Sequence, residues 1–447
     1  MRKWISCMGA LLLTLSVFGK YTGRAWLYKN KDGIYKVGDT ITCKVKLSNN
    51  GKALKGTQAR MTIKFEGRAV ETKKFTTTGR PVTFTYKADK PGWVYFGFEV
   101  LGEDGKVLRG KEVQRYGTKP TIVTEVGAMI EPEKLTAVPR PADFDEFWAA
   151  RRAKLNEIPI KAKLEPMKSG KENIRLYKVT IPTVGEYPVT GYLAIPANAK
   201  PKSCRAFAEW SSWSASDANR NSAIKHAAEG DIGFTTTWHG RPVDMGKKWY
   251  DYKTTIKIDG GMVGIKDRDT WCFGFMYYRV MRALDYVKTL PEWDGKNLIS
   301  IGGSLGGAQS AAAAALDKDV TLAVITNPCF CDFDGAASGR TGSIPRGAAR
   351  KGAKSPAALK AQSYYDCINF APMIKCPVFI STGGTDELCP PSNVFVVFNS
   401  LPAATKAKSQ MFFNPTAGHY GQINKSAAPH IKKLLDSVVI NRYDDKN

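Results

Sequence analysis

The sequence predicts a mixed α/β protein in which a mostly parallel sheet, covered by helices on both faces, follows a smaller all-β domain. Before about residue 130, apolar residues alternate with polar ones at a period of two, as in strands with one buried and one wet face. From about residue 161, short apolar runs alternate with helical stretches, which indicates a parallel sheet between helices. With 447 residues, the chain is long enough for two or three domains.

Composition and charge exclude several classes of protein. Hydrophobic residues make up 43% and charged residues 24% of the chain, which is typical of a globular protein and excludes a disordered one. Lysine and arginine number 66 against 41 acidic residues, a net charge of +25. The basic residues are scattered and form no arginine-rich block, so we expect no nucleic-acid partner. The charge favours a solvated surface or attraction to an acidic polymer such as a uronate-bearing polysaccharide.

Residues 1–25 have the pattern of a signal peptide. Arg2 and Lys3 precede a largely apolar stretch, and small residues permit cleavage before Trp26, with Gly19 as a second site. The apolar stretch is short for a membrane anchor, so we expect an exported bacterial protein, periplasmic or secreted, without a stable membrane span. The nine cysteines are too sparse for a disulfide-held fold, and their pairing cannot be derived from the sequence.

Residues 26–130 are predicted to form a β-sandwich of the immunoglobulin-like type. Ile41, Cys43 and Val45 alternate with polar residues, and turn segments such as Asn49-Asn50-Gly51 separate the apolar runs. This domain contains no histidine and no cluster of potential ligands, so we expect an accessory role for it. Residues 131–160 are predicted to be a linker and a leading helix, and residues 161–447 the α/β domain.

The segment Gly302-Gly303-Ser304-Leu305-Gly306 matches G-x-S-x-G between an apolar strand and an alanine-rich helix. This context is the nucleophile elbow of the α/β-hydrolase fold, a tight turn that holds the serine hydroxyl above the sheet. The N–H of Leu305 would point to where an oxyanion forms. A phosphate-binding loop is excluded because no Lys-Ser or Lys-Thr follows the glycines. The sequence therefore predicts an α/β-hydrolase domain with Ser304 as nucleophile.

A serine nucleophile needs a base, and in this fold the acid and then the base follow the serine along the chain. Of the four histidines only His419 and His430 come late enough, and His430 lies inside a helical stretch. We therefore predict His419 as the base. Asp386 follows an apolar run and is the predicted acid, with Asp332 and Asp334 as rivals.

Three further side chains are expected to line the pocket at the same rim of the sheet. His239 ends an earlier predicted strand, Trp210 precedes a serine-rich loop, and Tyr420 follows the predicted base. With four histidines in the chain, no zinc-ligand spacing is present, so we expect no metal.

Several separate segments, in the right order, resemble one known family. They are Pro141–Trp148, Tyr277–Asp285, Gly302–Gly307, Tyr365–Pro372, Asp386–Ser392 and Gly418–His419. They are similar to the acetyl xylan esterase / cephalosporin C deacetylase family (carbohydrate esterase family 7), which consists of serine esterases with the α/β-hydrolase fold. The resemblance runs from about residue 141 to about residue 419. It implies a catalytic triad of Ser304, Asp386 and His419 and no cofactor.

The sequence also departs from the family pattern. Leu305 stands where the family usually has glutamine, and Trp238–Pro242 stands where the family has Arg-Gly-Gln-Gly. Glu209–Ser212 takes the place of the family's oxyanion loop, so the second oxyanion donor is expected to be the N–H of Ser211 or Ser212. The N-terminal domain lies outside the family pattern.

The resemblance implies an exported serine esterase that removes acetyl groups from carbohydrate, with acetyl xylan or its oligosaccharides as the first expectation. The expected partner is thus an acetylated polysaccharide or oligosaccharide, and a homo-oligomer is left open. Two alternatives also remain open: another α/β-hydrolase acting on a different ester or a peptide, and a catalytically silent carbohydrate-binding protein. A chain truncated near Lys134 is expected to hydrolyse small acetyl esters but to lose activity on polymer.

Overall fold

The first part of the chain folds into two β-sheets. The computed structural model describes residues 21–108, 122–342, 352–419 and 421–438. Its strands before residue 131 are β1 (Tyr21–Leu27), β2 (Ile34–Tyr35), β3 (Thr40–Asn49), β4 (Lys52–Ala53), β5 (Lys55–Phe65), β6 (Arg68–Thr78), β7 (Val82–Lys87), β8 (Gly92–Leu101), β9 (Val107–Leu108) and β10 (Thr124–Ile130).

These strands share one hydrophobic core between the two sheets. Strand β3 is the centre of the first sheet and pairs with β1, β4 and β7, while the second sheet has the order β2-β10-β8-β5-β6, with β9 on β8. Ile41 and Val45 of the first sheet and Met61, Ile63 and Phe96 of the second belong to the same buried cluster. The period of two therefore places the apolar face of each sheet inward, as the sequence predicts.

The first strand begins upstream of the expected domain boundary. Strand β1 pairs with β3 along its whole length, from Tyr21 opposite Asn49 to Leu27 opposite Cys43. A boundary before Trp26 would leave only the last two residues of this strand, so the strand extends five residues upstream of the predicted domain start at residue 26, which stays a prediction. The signal-peptide pattern itself lies largely in residues 1–20, outside the described residues.

A nine-stranded mixed sheet forms the centre of the second part. Its order is β11-β12-β13-β15-β14-β16-β17-β18-β19, and the neighbours from β15 onward are parallel, whereas β11, β12, β13 and β15 are joined antiparallel. The strands are β11 (Lys163–Met167), β12 (Ile174–Ile181), β13 (Val189–Pro196), β14 (Cys204–Trp210), β15 (Ile232–Thr236), β16 (Trp293–Gly303), β17 (Leu322–Thr326), β18 (Val378–Gly383) and β19 (Gln410–Asn414).

Helices cover both faces of this sheet, which confirms the predicted mixed α/β fold. Phe207, Ile299 and Phe379 pack on one face with Leu434, while their neighbours along the strands pack on the other face with α3 and α4. The helices are α1 (Phe144–Asn156), α2 (Arg220–Ala228), α3 (Gly274–Val287), α4 (Leu305–Leu316), α5 (Pro356–Ser363), α6 (Cys367–Phe370), α7 (Pro391–Asn399), α8 (Ala403–Lys406) and α9 (Gln422–Val438).

Among the described residues, no helix combines the length and the apolar character that a membrane span requires. The eight cysteines of the same residues all carry free thiols. Cys7 lies outside them.

Candidate active site

A sharp turn between β16 and α4 presents Ser304. This residue has φ 57° and ψ −118°, a backbone conformation that a side-chain-bearing residue rarely adopts. A Cβ at Gly302 would lie 2.0 Å from the carbonyl oxygen of Gly306, and a Cβ at Gly306 would lie 2.4 Å from that of Trp210. Because backbone would collide with backbone, glycine is required two residues before and two residues after the serine.

The structure brings the three predicted triad residues together. The Ser304 Oγ lies 3.0 Å from His419 Nε2, and His419 Nδ1 lies 2.8 Å from Asp386 Oδ2. The other carboxylate oxygen of Asp386 accepts bonds from the N–H groups of Leu388 and Cys389. Asp386 is 1% exposed, so a fixed, buried carboxylate faces one ring nitrogen and leaves the other for the serine hydroxyl.

The rival acids have other partners. Asp332 is fully buried, and its Oδ2 accepts a bond of 2.7 Å from the Nε of Arg340. Asp334 precedes a short 3₁₀ turn. His430 lies in α9 with its ring 4.7 Å from that of Phe412. The chain order that favours Asp386 and His419 thus agrees with the contacts.

The loop after β14 lies against the elbow. The Oγ of Ser212 donates to the carbonyl oxygen of Gly303, and the Nε2 of Gln309 donates to that of Ser211. Leu305 is the first residue of α4, and the N–H of a first helical residue has no partner within its helix. The two expected oxyanion donors therefore belong to adjoining segments, and the choice between Ser211 and Ser212 stays a prediction.

Comparison with known proteins now identifies the family. The sequence profile described as acetyl xylan esterase (AXE1) matches residues 133–423, which is more than half of the chain and contains all three triad candidates. The chain belongs to the acetyl xylan esterase family. The resemblance predicted from the sequence is confirmed.

A curated relative is similar to more than half of this chain. The chain is 31% identical over 267 residues to the acetyl esterase Axe7A of Xylanibacter ruminicola, covering 59% of this chain and 61% of that protein. It therefore spans about three fifths of the length of this curated relative.

Two solved acetyl xylan esterases share the fold. One, from Paenibacillus sp. R4, superposes with a TM-score of 0.60 at 21% identity and covers 69% of this chain and 99% of its own. The other, from Thermoanaerobacterium sp. JW/SL YS485, has a TM-score of 0.57 at 20% identity and covers 68% and 97%. At these identities the likeness is one of fold.

Two of the three expected pocket residues make hydrogen bonds inside this member of the acetyl xylan esterase family. The indole of Trp210 is buried and donates to Ser300 Oγ at 2.8 Å. His239 is 4% exposed, and its ring nitrogens contact the carbonyl oxygen of Ser216 and the N–H of Arg241. Burial lowers the pKa of His239 to about 4. Both ring nitrogens thus tie two loops together, and a place for His239 in the pocket stays a prediction.

Tyr420, the third expected pocket residue, lies outside the described residues.

Two residues near the triad, Asn327 and Gln309, lie outside the motifs from which the sequence predicted the site. The Nδ2 of Asn327 lies 3.0 Å from both His419 Nδ1 and the His419 carbonyl oxygen. Since Nδ1 faces the carboxylate of Asp386, the amide of Asn327 donates to the carbonyl oxygen and fixes the backbone at His419. Gln309, buried in α4, joins the elbow helix to Ser211 in the same way. The one sequence feature that could have indicated a role for Gln309 is its position as a polar residue in an alanine-rich helix.

One cluster among the described residues approaches metal-ligand spacing. Ligand atoms of Asp386, Cys389 and His419 lie within 4.8 Å of one another. The carboxylate already accepts from two backbone N–H groups and faces His419 Nδ1. A cation would have to break the contact between Asp386 and His419, so the arrangement fits a hydrogen-bonded triad better than a metal site.

Proposed function

We propose that this protein is a serine esterase that removes acetyl groups from carbohydrate. The observation that carries the proposal is the chain of contacts from Ser304 Oγ through the His419 ring to the buried Asp386 carboxylate. These residues lie at the end of parallel strands within the stretch that matches the family. No other histidine of the described residues reaches a serine hydroxyl with its second nitrogen on a buried carboxylate.

In this mechanism the Oγ of Ser304 attacks the acetyl carbonyl while Nε2 of His419 takes the hydroxyl proton. The negative oxygen that forms is stabilised by the N–H of Leu305 and by a second donor from the loop after β14. Asp386 keeps the proton on Nδ1 and stabilises the imidazolium. His419 then protonates the departing sugar alkoxide, and a water molecule, activated by the same nitrogen, releases acetate from the acyl-enzyme.

Acetylated xylan or its oligosaccharides are the proposed substrates. The names of the related proteins support this choice, since one is an acetyl esterase and two are acetyl xylan esterases. We also propose that the two N-terminal sheets form an immunoglobulin-like β-sandwich.

Export is proposed as well, with cleavage after Gly19 rather than before Trp26. Strand β1 begins at Tyr21, and cleavage after Gly19 leaves the strand and its pairing with β3 whole. N-terminal sequencing of the mature protein tests this: a first residue of Lys20 supports the proposal, and a first residue of Trp26 contradicts it.

Replacement of the nucleophile tests the esterase proposal. Ser304→Ala should lower kcat/KM for p-nitrophenyl acetate by about 10⁴-fold or more with the fold intact. Ser310→Ala is the matched control, because Ser310 is a buried serine of the helix that follows Ser304, and its hydroxyl bonds to Ser300. A Ser304→Ala variant with a tenth of the wild-type value would exclude Ser304. Acetate release from acetylated xylan, compared with other acetylated glycans, then tests the substrate.

A further inference from the structure

The N-terminal sheets touch the loop that carries Asp386. We call residues Gly384–Ser392, from the end of β18 to the first two residues of α7, the acid loop. The indole Nε1 of Trp93, in β8, donates to the carbonyl oxygen of Gly384 at 2.8 Å, and Trp93 is 1% exposed. Gly127 of β10 packs so closely there that a Cβ on it would lie 1.9 Å from the same oxygen. The start of the acid loop is therefore fixed by two strands of the N-terminal unit.

The far end of the acid loop is held by a buried carboxyl group. Glu66 follows β5 and is 3% exposed. One of its oxygens accepts a bond of 2.8 Å from Ser392 Oγ, and the other accepts a bond of 2.7 Å from the N–H of Trp93. Glu66 thus joins the end of the acid loop to the residue that holds its start. Between the two ends, Lys64 forms an ion pair with Glu387.

The loop that carries the base has a contact of the same kind. We call residues Pro415–His419 the base loop. The N–H of Gly127 donates to the carbonyl oxygen of Pro415 at 2.8 Å. The two loops also bond to each other, since the N–H of Thr385 donates to the carbonyl oxygen of Ala417 at 3.0 Å. Gly127 therefore contacts both loops, and any displacement of one loop would be passed to the other.

We propose that the N-terminal sheets are a structural part of the active site, in which Trp93 and Glu66 are positioning residues for Asp386 and, through it, for His419. This inference rests on the proposed esterase function. Loops at the ends of strands are more mobile than the strands themselves. Here the acid loop is held at its start, middle and end by another unit of the chain. The unit without catalytic side chains thus acts on catalysis by restricting the acid loop.

The size of the effect follows from the geometry of the triad. Proton transfer requires the Asp386, His419 and Ser304 atoms to stay within hydrogen-bond distance of one another. A displacement of about 1 Å in such a site can cost about 10²-fold in rate. Loss of one of the several contacts that hold the acid loop should cost less, about 10-fold in kcat. KM for a small ester should change little, because Trp93 and Glu66 bond to the acid loop and not to Ser304.

Four variants of the full-length protein test the proposal. Trp93→Phe removes the indole donor to Gly384 and keeps most of the ring, and Glu66→Ala removes both acceptors. Glu66→Gln is the conservative rescue, since its amide can accept from Trp93 and donate to Ser392. Glu99→Ala is the matched control: Glu99 is buried in β8 and accepts from Arg60 within the N-terminal unit.

We expect Trp93→Phe and Glu66→Ala to lower kcat for p-nitrophenyl acetate by about 10-fold with KM within about twofold of wild type. Glu66→Gln and Glu99→Ala should stay within about threefold of wild-type kcat. All rates are measured at a temperature at which circular dichroism shows each variant to be folded, with Tm recorded. If Glu66→Ala does not fold, the conservative Trp93→Phe decides.

Two results would overturn the inference. The first is wild-type kcat in folded Trp93→Phe. The second is an equal loss in Glu99→Ala and Glu66→Ala at equal Tm, which would make the effect one of general stability. Failure of the esterase proposal can be distinguished from these two results. In that case Ser304→Ala would keep its activity, whatever the activities of the N-terminal variants.

Discussion

At the scale of single residues, three aspartates were candidates for the acid, and their surroundings separate them. Asp386 contacts His419, Asp332 pairs with buried Arg340, and Asp334 precedes a short 3₁₀ turn. Asp386→Asn should lower kcat/KM by about 10⁴-fold without unfolding the protein, because the histidine then takes the wrong tautomer. Asp334→Asn should have wild-type activity. Steady-state kinetics with p-nitrophenyl acetate checks both, and near-wild-type rates in Asp386→Asn would refute its role.

In contrast to Asp386→Asn, Asp332→Asn should destabilise the protein and leave the activity of the folded fraction nearly unchanged. Removing one partner of a buried ion pair typically costs about 3–5 kcal/mol, because the other charge is left unpaired. Asp332 is fully buried, and Arg340 is 6% exposed. We expect a large loss in the free energy of unfolding, measured in urea, and a near-normal kcat in the fraction that stays folded. A stable variant without activity would return Asp332 to the list of candidate acids.

Glu66 makes stability depend on pH. Burial raises the pKa of its carboxyl group from 4.5 to about 7, with Asp332 adding to the rise, while bonds from Ser392 and Trp93 and the charge of Arg340 oppose it. The folded state thus binds the proton more tightly than the unfolded state. The resulting stabilisation is complete below pH 4.5 and is lost as pH rises to about 7.

Glu66→Gln should remove this dependence, since an amide does not titrate. Between pH 5 and pH 8, the wild type should lose about 2–3 kcal/mol more stability than Glu66→Gln does. Urea unfolding at the two pH values measures the difference. Parallel pH profiles for the two proteins would show that Glu66 does not titrate in this range.

The sequence could predict the triad but not the residues that support it. Ser304, Asp386 and His419 follow from a local motif, from chain order and from the residues beside them. Asn327 acts on a histidine 92 residues further along the chain, and Glu66 acts on a serine 326 residues away. Nothing in the local pattern around either residue records such a distant partner. The contacts of His239 could not be predicted for the same reason, because its partners belong to two loops that only the fold brings together.

At the scale of elements, the elbow requires glycine at residue 302 and should tolerate a small side chain at the neighbouring residue 303. A Cβ at Gly302 would meet the backbone of Gly306 at 2.0 Å, whereas at Gly303 the nearest heavy atom is 3.7 Å away. Gly302→Ala should therefore be insoluble or lose several degrees in Tm together with its activity, and Gly303→Ala should fold normally. Soluble yield and thermal melting compare the two. Equal behaviour would mean that the turn is less tight than described.

The elements themselves were predicted well in type and less well in extent. Alternation over residues 41–47 and the apolar run near residue 299 lie in β3 and β16 as expected. The alanine-rich helix predicted after the G-x-S-x-G segment begins at Leu305, directly after Ser304. The sequence hides this start because Gly306 and Gly307, in the first turn of the helix, are poor helix formers.

At the scale of the whole molecule, the net charge of +25 predicts a substrate preference. A basic surface attracts an acidic polymer, and salt screens that attraction. Raising the ionic strength from about 0.02 to 0.5 M should increase KM about threefold or more on a uronate-bearing acetylated xylan. KM for uncharged p-nitrophenyl acetate should stay unchanged and serves as the control. Equal salt dependence for the two substrates would argue against electrostatic attraction.

The contacts between the N-terminal sheets and the α/β domain argue against one expectation from the sequence. A domain without histidine or nucleophile was expected to be dispensable for small esters. Its removal would take away Trp93, Glu66 and Gly127, and with them the contacts that hold the acid and base loops. It would also expose the apolar surface on which Trp93 packs, since Trp93 belongs to the same buried cluster as the core of the α/β domain.

A chain that starts at Lys134 should therefore lose activity on small and polymeric substrates alike. Exposed apolar surface favours aggregation, so we expect low soluble yield, and any monodisperse fraction should have a kcat for p-nitrophenyl acetate at least about 10-fold below wild type. Paired assays on p-nitrophenyl acetate and acetylated xylan, after size-exclusion chromatography, measure both losses. A monodisperse truncated protein with wild-type kcat on the small ester and reduced activity on xylan alone would show that the N-terminal unit targets substrate and does not position the triad.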